Sequence, residues 1–315
     1  MLHNDNTTVL KQAIVFWSAA KSRLKDTDLQ QSMNEGKFLH HLVGSMSQGA
    51  AGNPTVAMVE AAFAHHGLHW RYVNMEVTPD DLGDAVRGAR AMGFRGFHCS
   101  MPHKVAVIGH LDGLGESAAV MGAVNCVVRR GENLIGENTD GKGFLKSLES
   151  VIDPKGKSVV LFGAGGAARA IAVELGLAGI NRMTVVNRSE SSGQELVSLL
   201  RATLKVDAEF VVWRGDYQVP ATTHIVINGT SIGLFSPEAR LPLDIGSLQQ
   251  HMVVADVIFN PVRTRLLRDA AGRGCRAIDG LGMLVNQAVV GVGYWTGIYP
   301  DAAVLRTALE FAMEV

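Results

Sequence analysis

Cysteine is scarce in this sequence: the three that occur, Cys99, Cys126 and Cys275, include no CxxC pair. Because an odd number of isolated cysteines is not a disulfide framework, we expect a reduced, cytoplasmic compartment. The 11 histidines show no metal-ligand spacing such as HExxH, which excludes a recognisable zinc site. No metal centre is therefore predicted.

An excess of charge and a long apolar run are missing as well. The chain has 29 basic and 30 acidic residues and a formal net charge of -1, so its charge does not favour nucleic acid or an anionic membrane as a partner. The apolar stretch at 13–20 is too short to cross a bilayer, and no secretion signal is predicted. The expected partner is a small molecule, and the protein is expected to be a monomer or homodimer.

The sequence does show a regular alternation of apolar strands and helices. In the first half, strands are predicted at HHLVGSM, WRYVNMEV and GFHCS, with helices between them. The second half alternates more cleanly, from strand KSVVLF to strand VVADVIF, and continuous apolar strands favour a parallel sheet covered on both faces. The predicted fold is α/β with two domains, a substrate-binding α/β domain and a doubly wound Rossmann NAD(P)-binding domain.

The domain boundaries follow from this pattern. A leader is predicted at 1–36, the substrate-binding and catalytic domain at 37–141 and the Rossmann domain at 142–277. The remaining residues, 278–315, are predicted as C-terminal helices that return to the substrate domain.

A phosphate loop is predicted where strand KSVVLF runs into GAGGAARA. This segment matches G-x-G-x-x-G/A, in which glycines permit a tight turn and a close approach of the backbone to a pyrophosphate at a helix N-terminus. The preceding strand, the following helix and a second strand are all present, as the motif requires. The residues predicted to contact the dinucleotide are Gly163, Ala164, Gly165, Gly166 and Ala167.

The end of that second strand bears on which dinucleotide binds. Asn187, Arg188 and Ser189 occupy the position where NAD enzymes usually carry an acidic residue for the ribose, and an arginine there suits a 2′-phosphate. Glu190 would repel that phosphate, so NAD and a solvent-exposed Arg188 stay open as alternatives. NADP is the predicted cofactor.

A set of motifs occurs in one order along 40–315. They are HCSMPHK at 98–104, GAVNC at 122–126, NTDGKG at 138–143, GAGGAARA at 163–170, NGTSIG at 228–233, DVIFNPVRT at 256–264 and GLGMLVNQ at 280–287. This set resembles the shikimate dehydrogenase family. The resemblance implies an NADP-dependent oxidoreductase that interconverts 3-dehydroshikimate and shikimate, or a close cyclic analogue, in aromatic amino acid biosynthesis.

The resemblance also implies roles for individual residues. Lys104 and Asp140 correspond to the catalytic pair, because an amine beside a carboxylate can move the hydroxyl proton while a hydride is transferred. Asn125 and Gln287 correspond to substrate ligands. Further implied substrate contacts are Ser100, His98 and Asn53, and further implied cofactor contacts are Thr230, Gly280 and Met283.

The chain departs from the family on the substrate side. Where the family has two serines on the substrate carboxylate, alignment on Pro54 gives Ala51 and Asn53, and the tyrosine that makes a third contact is Phe259. Each lost hydrogen bond to a charged carboxylate costs about 1.5 to 3 kcal/mol. The candidate replacements are Ser45, Ser47, Asn53 and a protonated His98. A neutral, hydrogen-bonded histidine in a partly buried strand is the alternative for His98.

Three functions are compatible with these residues. The first is a dehydrogenase of shikimate or a near relative, and the second acts on quinate, an amino-shikimate-type analogue or another cyclic polyol acid. The third is a nucleotide-binding regulatory protein without useful turnover. Because a sensor needs no proton shuttle, retention of both Lys104 and Asp140 argues against the third.

Overall fold

Two six-stranded sheets form the framework of the computed structural model, which describes residues 39–314. The predicted leader at 1–36 lies outside the described residues. The first sheet contains β1 His41–Ser47, β2 Trp70–Glu76, β3 Gly96–Cys99, β4 Gly113–Leu114, β5 Cys126–Arg130 and β6 Asn133–Glu137. The second contains β7 Ser158–Phe162, β8 Arg182–Asn187, β9 Asp207–Val212, β10 Ile225–Asn228, β11 Val253–Asp256 and β12 Arg276–Ile278.

Helices connect these strands and cover the sheets. Those before the second sheet are α1 Thr55–His65, α2 Leu82–Ala91, α3 His103–Ala106, α4 Glu116–Met121 and α5 Asp140–Glu149. Those within and after it are α6 Gly166–Leu177, α7 Glu190–Leu204, α8 Arg265–Gly272, α9 Gly280–Thr296 and α10 Ala302–Met313. Short 3-10 helices lie at Ala50–Gly52, Val107–His110 and Ile245–Ser247.

The first sheet is mixed, with the order β2-β1-β3-β5-β6-β4. Strands β1 and β3 pair in parallel, whereas β3 with β5 and β5 with β6 pair antiparallel. The β5–β6 hairpin was not predicted from the sequence. Its two-residue loop begins at Gly131, whose φ of +64° favours glycine.

The second sheet has the order β12-β11-β10-β7-β8-β9, and each pair of neighbouring strands in it is parallel. Its strand order reverses between β7 and β10, which is the arrangement of a doubly wound dinucleotide-binding fold. One core lies on the face covered by α6 and α7, and another lies on the opposite face around Trp213 and Leu266. The predicted two-domain α/β fold with a Rossmann sheet is therefore confirmed.

The last two helices pack beside the first sheet. Helix α9 lies along α5, and α10 lies along α1. Leu281 of α9 and Leu305 of α10 share a core with Met58 and Phe63 of α1. The predicted boundaries at 141 and 277 stay predictions, since the chain runs continuously through α5 and into α9.

Helix α5 is held close to two other helices because two of its residues lack side chains. A Cβ atom at Gly141 would lie 2.4 Å from the carbonyl oxygen of Ala170 in α6. A Cβ atom at Gly143 would lie 2.5 Å from the backbone nitrogen of Gln287 in α9. These close approaches bring Asp140, at the start of α5, beside Gln287.

Within residues 39–314, no helix is both long enough and apolar enough to span a bilayer. The same residues contain no cluster of three or more histidine, cysteine or acidic side chains that would hold a metal ion.

Candidate active site

Lys104 and Asp140 form an ion pair although 36 positions separate them in the sequence. Lys104 lies on the short helix α3, directly after the end of β3, and Asp140 is the first residue of α5. The Lys104 Nζ donates to Asp140 Oδ2 at 2.6 Å. Both side chains are partly exposed, at 34% and 23%, so the pair is accessible to a substrate.

A buried amide network fixes the other oxygen of Asp140. Asn125 Nδ2 donates to Asp140 Oδ1 at 2.8 Å and to Thr139 Oγ1 at 3.0 Å. The Thr139 backbone N–H donates back to Asn125 Oδ1 at 2.6 Å, and its hydroxyl donates to Gln287 Oε1 at 3.3 Å. Because Asn125, Thr139 and Gln287 are all buried, their network holds the Asp140 carboxylate in one orientation.

These groups open onto a cavity of about 140 Å³, referred to below as the substrate cavity. Its lining contains most of the residues that the sequence predicted on the substrate side. The lining residues are Asn53, Thr55, His98, Cys99, Ser100, Lys104, Asn125, Asp140, Leu284 and Gln287.

The loop after β1 and the start of α1 contribute two residues to this lining. Ala51 is exposed and does not line the cavity, whereas Asn53 and Thr55 both do. These two residues have the same i, i+2 spacing as the two serines of the family motif. Glu76 holds the loop because its carboxylate accepts from the backbone N–H groups of Gly49 and Ala50 at 2.8 and 2.7 Å. These hydrogen bonds lower the pKa of Glu76.

Ser45 and Ser47, two proposed replacements for the serines, are buried and do not line the cavity. Ser45 Oγ donates to Asn74 Oδ1 at 2.9 Å and accepts from Asn53 Nδ2 at 3.2 Å. It therefore supports Asn53 from behind and does not meet a ligand directly.

His98 lies on β3 and is 6% exposed at the wall of the substrate cavity. Burial lowers its pKa to about 4, because the charged imidazolium would lose its hydration. A histidine with this pKa is neutral at physiological pH, so the protonated anion-binding form considered from the sequence is not supported. The neutral, hydrogen-bonded alternative fits the structure, since Nδ1 lies 2.9 Å from the Tyr72 hydroxyl.

The predicted phosphate loop lies at the switch point of the second sheet. Gly163 follows β7 with φ of +103°, and a Cβ atom there would lie 3.0 Å from the carbonyl oxygen of Gly229. Gly165 and Gly166 are exposed, and a Cβ atom on either would meet no atom within 4 Å. The open space above these glycines and the start of the 12-residue helix α6 suit a pyrophosphate.

A second cavity, of about 170 Å³, adjoins the substrate cavity and is mostly apolar. The two share Asp140, Leu284 and Gln287. The other lining residues of the second cavity are Ala167, Val257, Phe259, Gly280 and Met283. Its position between the phosphate loop and the Lys104–Asp140 pair fits the nicotinamide end of a dinucleotide. Phe259 lines this second cavity, next to the residues that the two cavities share.

Thr230 completes the turn opposite the phosphate loop. Its backbone N–H and its hydroxyl both donate to Asn228 Oδ1, at 3.1 and 2.7 Å. Asn228 in turn donates to the buried carboxylate of Asp256 at 2.9 Å. Burial raises the pKa of Asp256 to about 6. Sequence reasoning did not identify Asp256 as the anchor of this turn.

The residues after β8 lie at the surface. Ser189 caps α7, since its hydroxyl accepts from the Ser192 backbone N–H, and Asn187 Nδ2 donates to the Ser189 carbonyl oxygen at 2.9 Å. Arg188 is exposed, and no ion pair involves it in the described part of the chain. Glu190 accepts from Gln194 Nε2 at 3.0 Å along the helix.

Comparison with known proteins identifies the family. A model of the shikimate dehydrogenase substrate binding domain matches residues 53–127, and a model of the shikimate 5'-dehydrogenase C-terminal domain matches residues 280–310. The NADP(+) shikimate dehydrogenase of Symbiobacterium thermophilum is 41% identical over 279 residues, which cover 87% of this chain and 95% of that protein. The chain belongs to the shikimate dehydrogenase family. It therefore belongs to a family of oxidoreductases.

Solved structures of shikimate dehydrogenase family relatives differ in their substrates. The 5-ketofructose reductase of a Gluconobacter species is 54% identical, with a TM-score of 0.86, over 87% of this chain and 99% of that one. The quinate dehydrogenase of Corynebacterium glutamicum, solved with NAD, is 31% identical, with a TM-score of 0.79, over 85% and 98% of the two chains.

Proposed function

We propose that this protein is an NADP(H)-dependent reductase of a neutral polyhydroxy ketone, a keto sugar of the 5-ketofructose type. The observation that carries the proposal is the charge balance of the substrate cavity. Among its described lining residues, Lys104 is the one fully cationic side chain, and Asp140 neutralises it at 2.6 Å. No positive charge is left for a carboxylate, whose loss of hydration would have to be offset by charge or by several hydrogen bonds.

The neutral side chains of the cavity suit hydroxyl groups. Amides and hydroxyls both donate and accept, as a polyhydroxy substrate requires. These side chains are Asn53, Thr55, Ser100, Asn125 and Gln287. The three hydroxyls that the family directs at a carboxylate are absent from the aligned positions, which are Ala51, Asn53 and Phe259.

The relatives support the same choice. The 54% identity with a 5-ketofructose reductase exceeds the 41% with a curated shikimate dehydrogenase and the 31% with a quinate dehydrogenase.

NADP(H) is the proposed cofactor, held by residues 163–167 at the phosphate loop, by Thr230, and by Gly280 and Met283 at the nicotinamide end. When bound, it supplies a hydride to the carbonyl carbon of the substrate. Arg188, Asn187 and Ser189 are proposed to hold the 2′-phosphate, because Arg188 is exposed and unpaired within the described residues and Glu190 is engaged with Gln194.

Lys104 is the proposed general acid of the reduction. Its ammonium donates a proton to the carbonyl oxygen, so that C=O and the incoming hydride together become CH–OH. Asp140 holds the ammonium in place, and Asn125 holds Asp140 at 2.8 Å. Because Lys104 is 34% exposed, it regains its proton from solvent.

Steady-state NADPH oxidation with 5-ketofructose, 3-dehydroshikimate and 3-dehydroquinate tests the proposal. The neutral ketone is expected to have a kcat/KM about 100-fold above those of the two acids, since the loss of only two of the three charge-assisted hydrogen bonds already accounts for that difference. A higher kcat/KM for either acid contradicts the neutral substrate but leaves the enzyme class intact. Absence of turnover with all three favours the regulatory alternative.

Replacing Arg188 by aspartate is expected to reduce or reverse the preference for NADPH over NADH. The introduced carboxylate repels the 2′-phosphate and accepts from the ribose hydroxyls. The wild-type preference is also expected to shrink at high salt, because an exposed charge contact is screened. Ratios of kcat/KM for the two cofactors measure this, with exposed Arg87→Asp as a control for charge alone. A wild type that already prefers NADH would show that Arg188 does not contact the cofactor.

Replacing Phe259 by tyrosine is expected to lower the KM for shikimate about tenfold, because a restored hydroxyl adds one charge-assisted hydrogen bond to the carboxylate. The KM for a neutral substrate is expected to change much less. Phe235→Tyr is the matched control, since its ring packs against Phe259 but is 70% exposed. Thermal unfolding is measured alongside to detect a buried, unpaired hydroxyl. Equal KM changes for acid and neutral substrate in a stable variant would show that the carboxylate binds elsewhere.

A further inference from the structure

Two arginines without partners lie at neighbouring strand ends of the second sheet. Arg188 follows β8 and Arg214 comes after the end of β9, and both side chains are exposed. Neither guanidinium takes part in a hydrogen bond or an ion pair within residues 39–314. Arg182 and Arg240 of the same domain, by contrast, are paired with carboxylates. Two free cations therefore meet at this edge of the sheet.

The pairing of β8 with β9 brings the two positions together. Asn187 and Val212 are partners in the parallel register, and the Trp213 backbone N–H continues the ladder by donating to the Asn187 carbonyl oxygen at 2.9 Å. Neighbouring strands lie about 4.8 Å apart. Arg188 and Arg214 follow directly on this last hydrogen bond. Since an extended arginine side chain is longer than the strand spacing, the two guanidinium groups can reach the same anion.

The alternation of side chains shows on which side of the sheet Arg214 lies. The ring of Phe210 in β9 lies against Gly193 of α7, whereas Trp213 packs into the core on the opposite face. Arg214 is an even number of positions after Phe210, so alternation directs its side chain to the side of α7. Because α7 begins just after Arg188, both arginines belong to the same side of this edge.

The neighbouring acidic side chains do not neutralise Arg214. Asp216, in the same loop, pairs with Arg240. Glu190, at the start of α7, accepts from Gln194. Within the described part of the chain, no acidic side chain therefore occupies the space in front of Arg214, and its charge is available to an anionic ligand.

We propose that Arg214 is a second specificity residue for the 2′-phosphate of NADP(H), which it binds together with Arg188. The inference deepens the proposed function and rests on it for the position of the adenosine, whose ribose lies at the end of the second strand of such a sheet, here β8. A guanidinium pairs with phosphate oxygens through two parallel N–H donors. Helix α7 contains no basic residue before Arg201, so a second cation has to come from another element. Arg214 supplies it from the next strand.

Calorimetric titration of the full chain with adenosine 2′,5′-bisphosphate and with AMP tests this contact without turnover. In Arg214→Ala, the Kd of the bisphosphate is expected to rise about tenfold and that of AMP to stay within twofold, because only the bisphosphate carries the 2′-phosphate. Arg214→Lys keeps the charge but not the paired donors, and about a threefold rise is expected. Arg87→Ala, which changes an exposed arginine of α2, is the matched control and is expected to alter neither Kd.

Steady-state kinetics give a second measurement. In Arg214→Ala, the KM for NADPH is expected to rise about tenfold, whereas the KM for NADH and the kcat at saturating NADPH are expected to stay within twofold. The reason is that Arg214 lines neither the substrate cavity nor the second cavity, where the hydride and the proton are transferred.

The outcomes separate this inference from the proposed function. The titrations do not depend on which ketone is reduced. A wild type that binds both nucleotides equally has no 2′-phosphate site, which overturns the inference and the NADP(H) preference but leaves the keto-sugar substrate standing. A preference for the bisphosphate that is lost in Arg188→Ala and kept in Arg214→Ala overturns the inference alone. Equal losses of affinity for both nucleotides in Arg214→Ala also overturn it, because they assign Arg214 to the part that the nucleotides share.

Discussion

Replacing Lys104 by methionine is expected to lower kcat at least 100-fold with every substrate of the panel. Methionine keeps the length of the side chain but has no proton to give, and loss of a general acid typically costs a factor of about 10² to 10⁴. Lys104 lies on the cavity wall and not at the phosphate loop, so the NADPH dissociation constant is expected to stay nearly unchanged.

Steady-state turnover at saturating substrate, with NADPH affinity from fluorescence titration, measures these effects. Lys155→Met is the matched control, because Lys155 is exposed and remote from both cavities. If kcat of Lys104→Met equals that of the control, Lys104 has no part in the proton transfer.

Replacing Lys142 by methionine is expected to reduce the free energy of unfolding by about 3 kcal/mol, because it leaves a buried carboxylate without its partner. Lys142 Nζ donates to Glu174 Oε1 and to Ser117 Oγ, both at 2.9 Å. Glu174 is only 6% exposed. The three residues join α5 to α6 and α4, two positions after Asp140, so the ion pair also holds the start of the catalytic helix.

Urea unfolding of three variants separates the ion pair from its surroundings. The double variant Lys142→Met/Glu174→Met is expected to recover most of the loss, since two apolar side chains leave no buried charge. Arg87→Met, which breaks an exposed pair with Asp84, is expected to leave stability almost unchanged. A double variant as unstable as Lys142→Met would assign the loss to packing of the lysine stem.

The sequence determined those features that depend on near neighbours. Apolar runs predicted the strands of the parallel second sheet, because a strand that is buried on both faces consists almost entirely of apolar residues. The glycine spacing predicted the turn after β7, since only residues without a side chain fit a positive φ and a close backbone approach. The α/β class and the phosphate loop therefore required no knowledge of distant contacts.

The sequence also identified most residues of the candidate site, but through its resemblance to a family and not through their own pattern. Nothing local links Lys104 to Asp140, or Asn125 to Gln287. The resemblance was least informative in the loop after β1, where Ala51 and Asn53 align with the two serines of the family. The structure shows which residues of this region line the cavity, namely Asn53 and Thr55.

Only the tertiary structure decided the state of the groups around the cavity. The charge of His98 depends on its burial, and its Nδ1 pairs with the hydroxyl of Tyr72, which lies on another strand 26 positions away. The neutrality of the cavity likewise depends on the meeting of Lys104 with Asp140. Burial and pairing are properties of residues distant in sequence, because hydration is lost and hydrogen bonds form only when the folded chain brings those residues together.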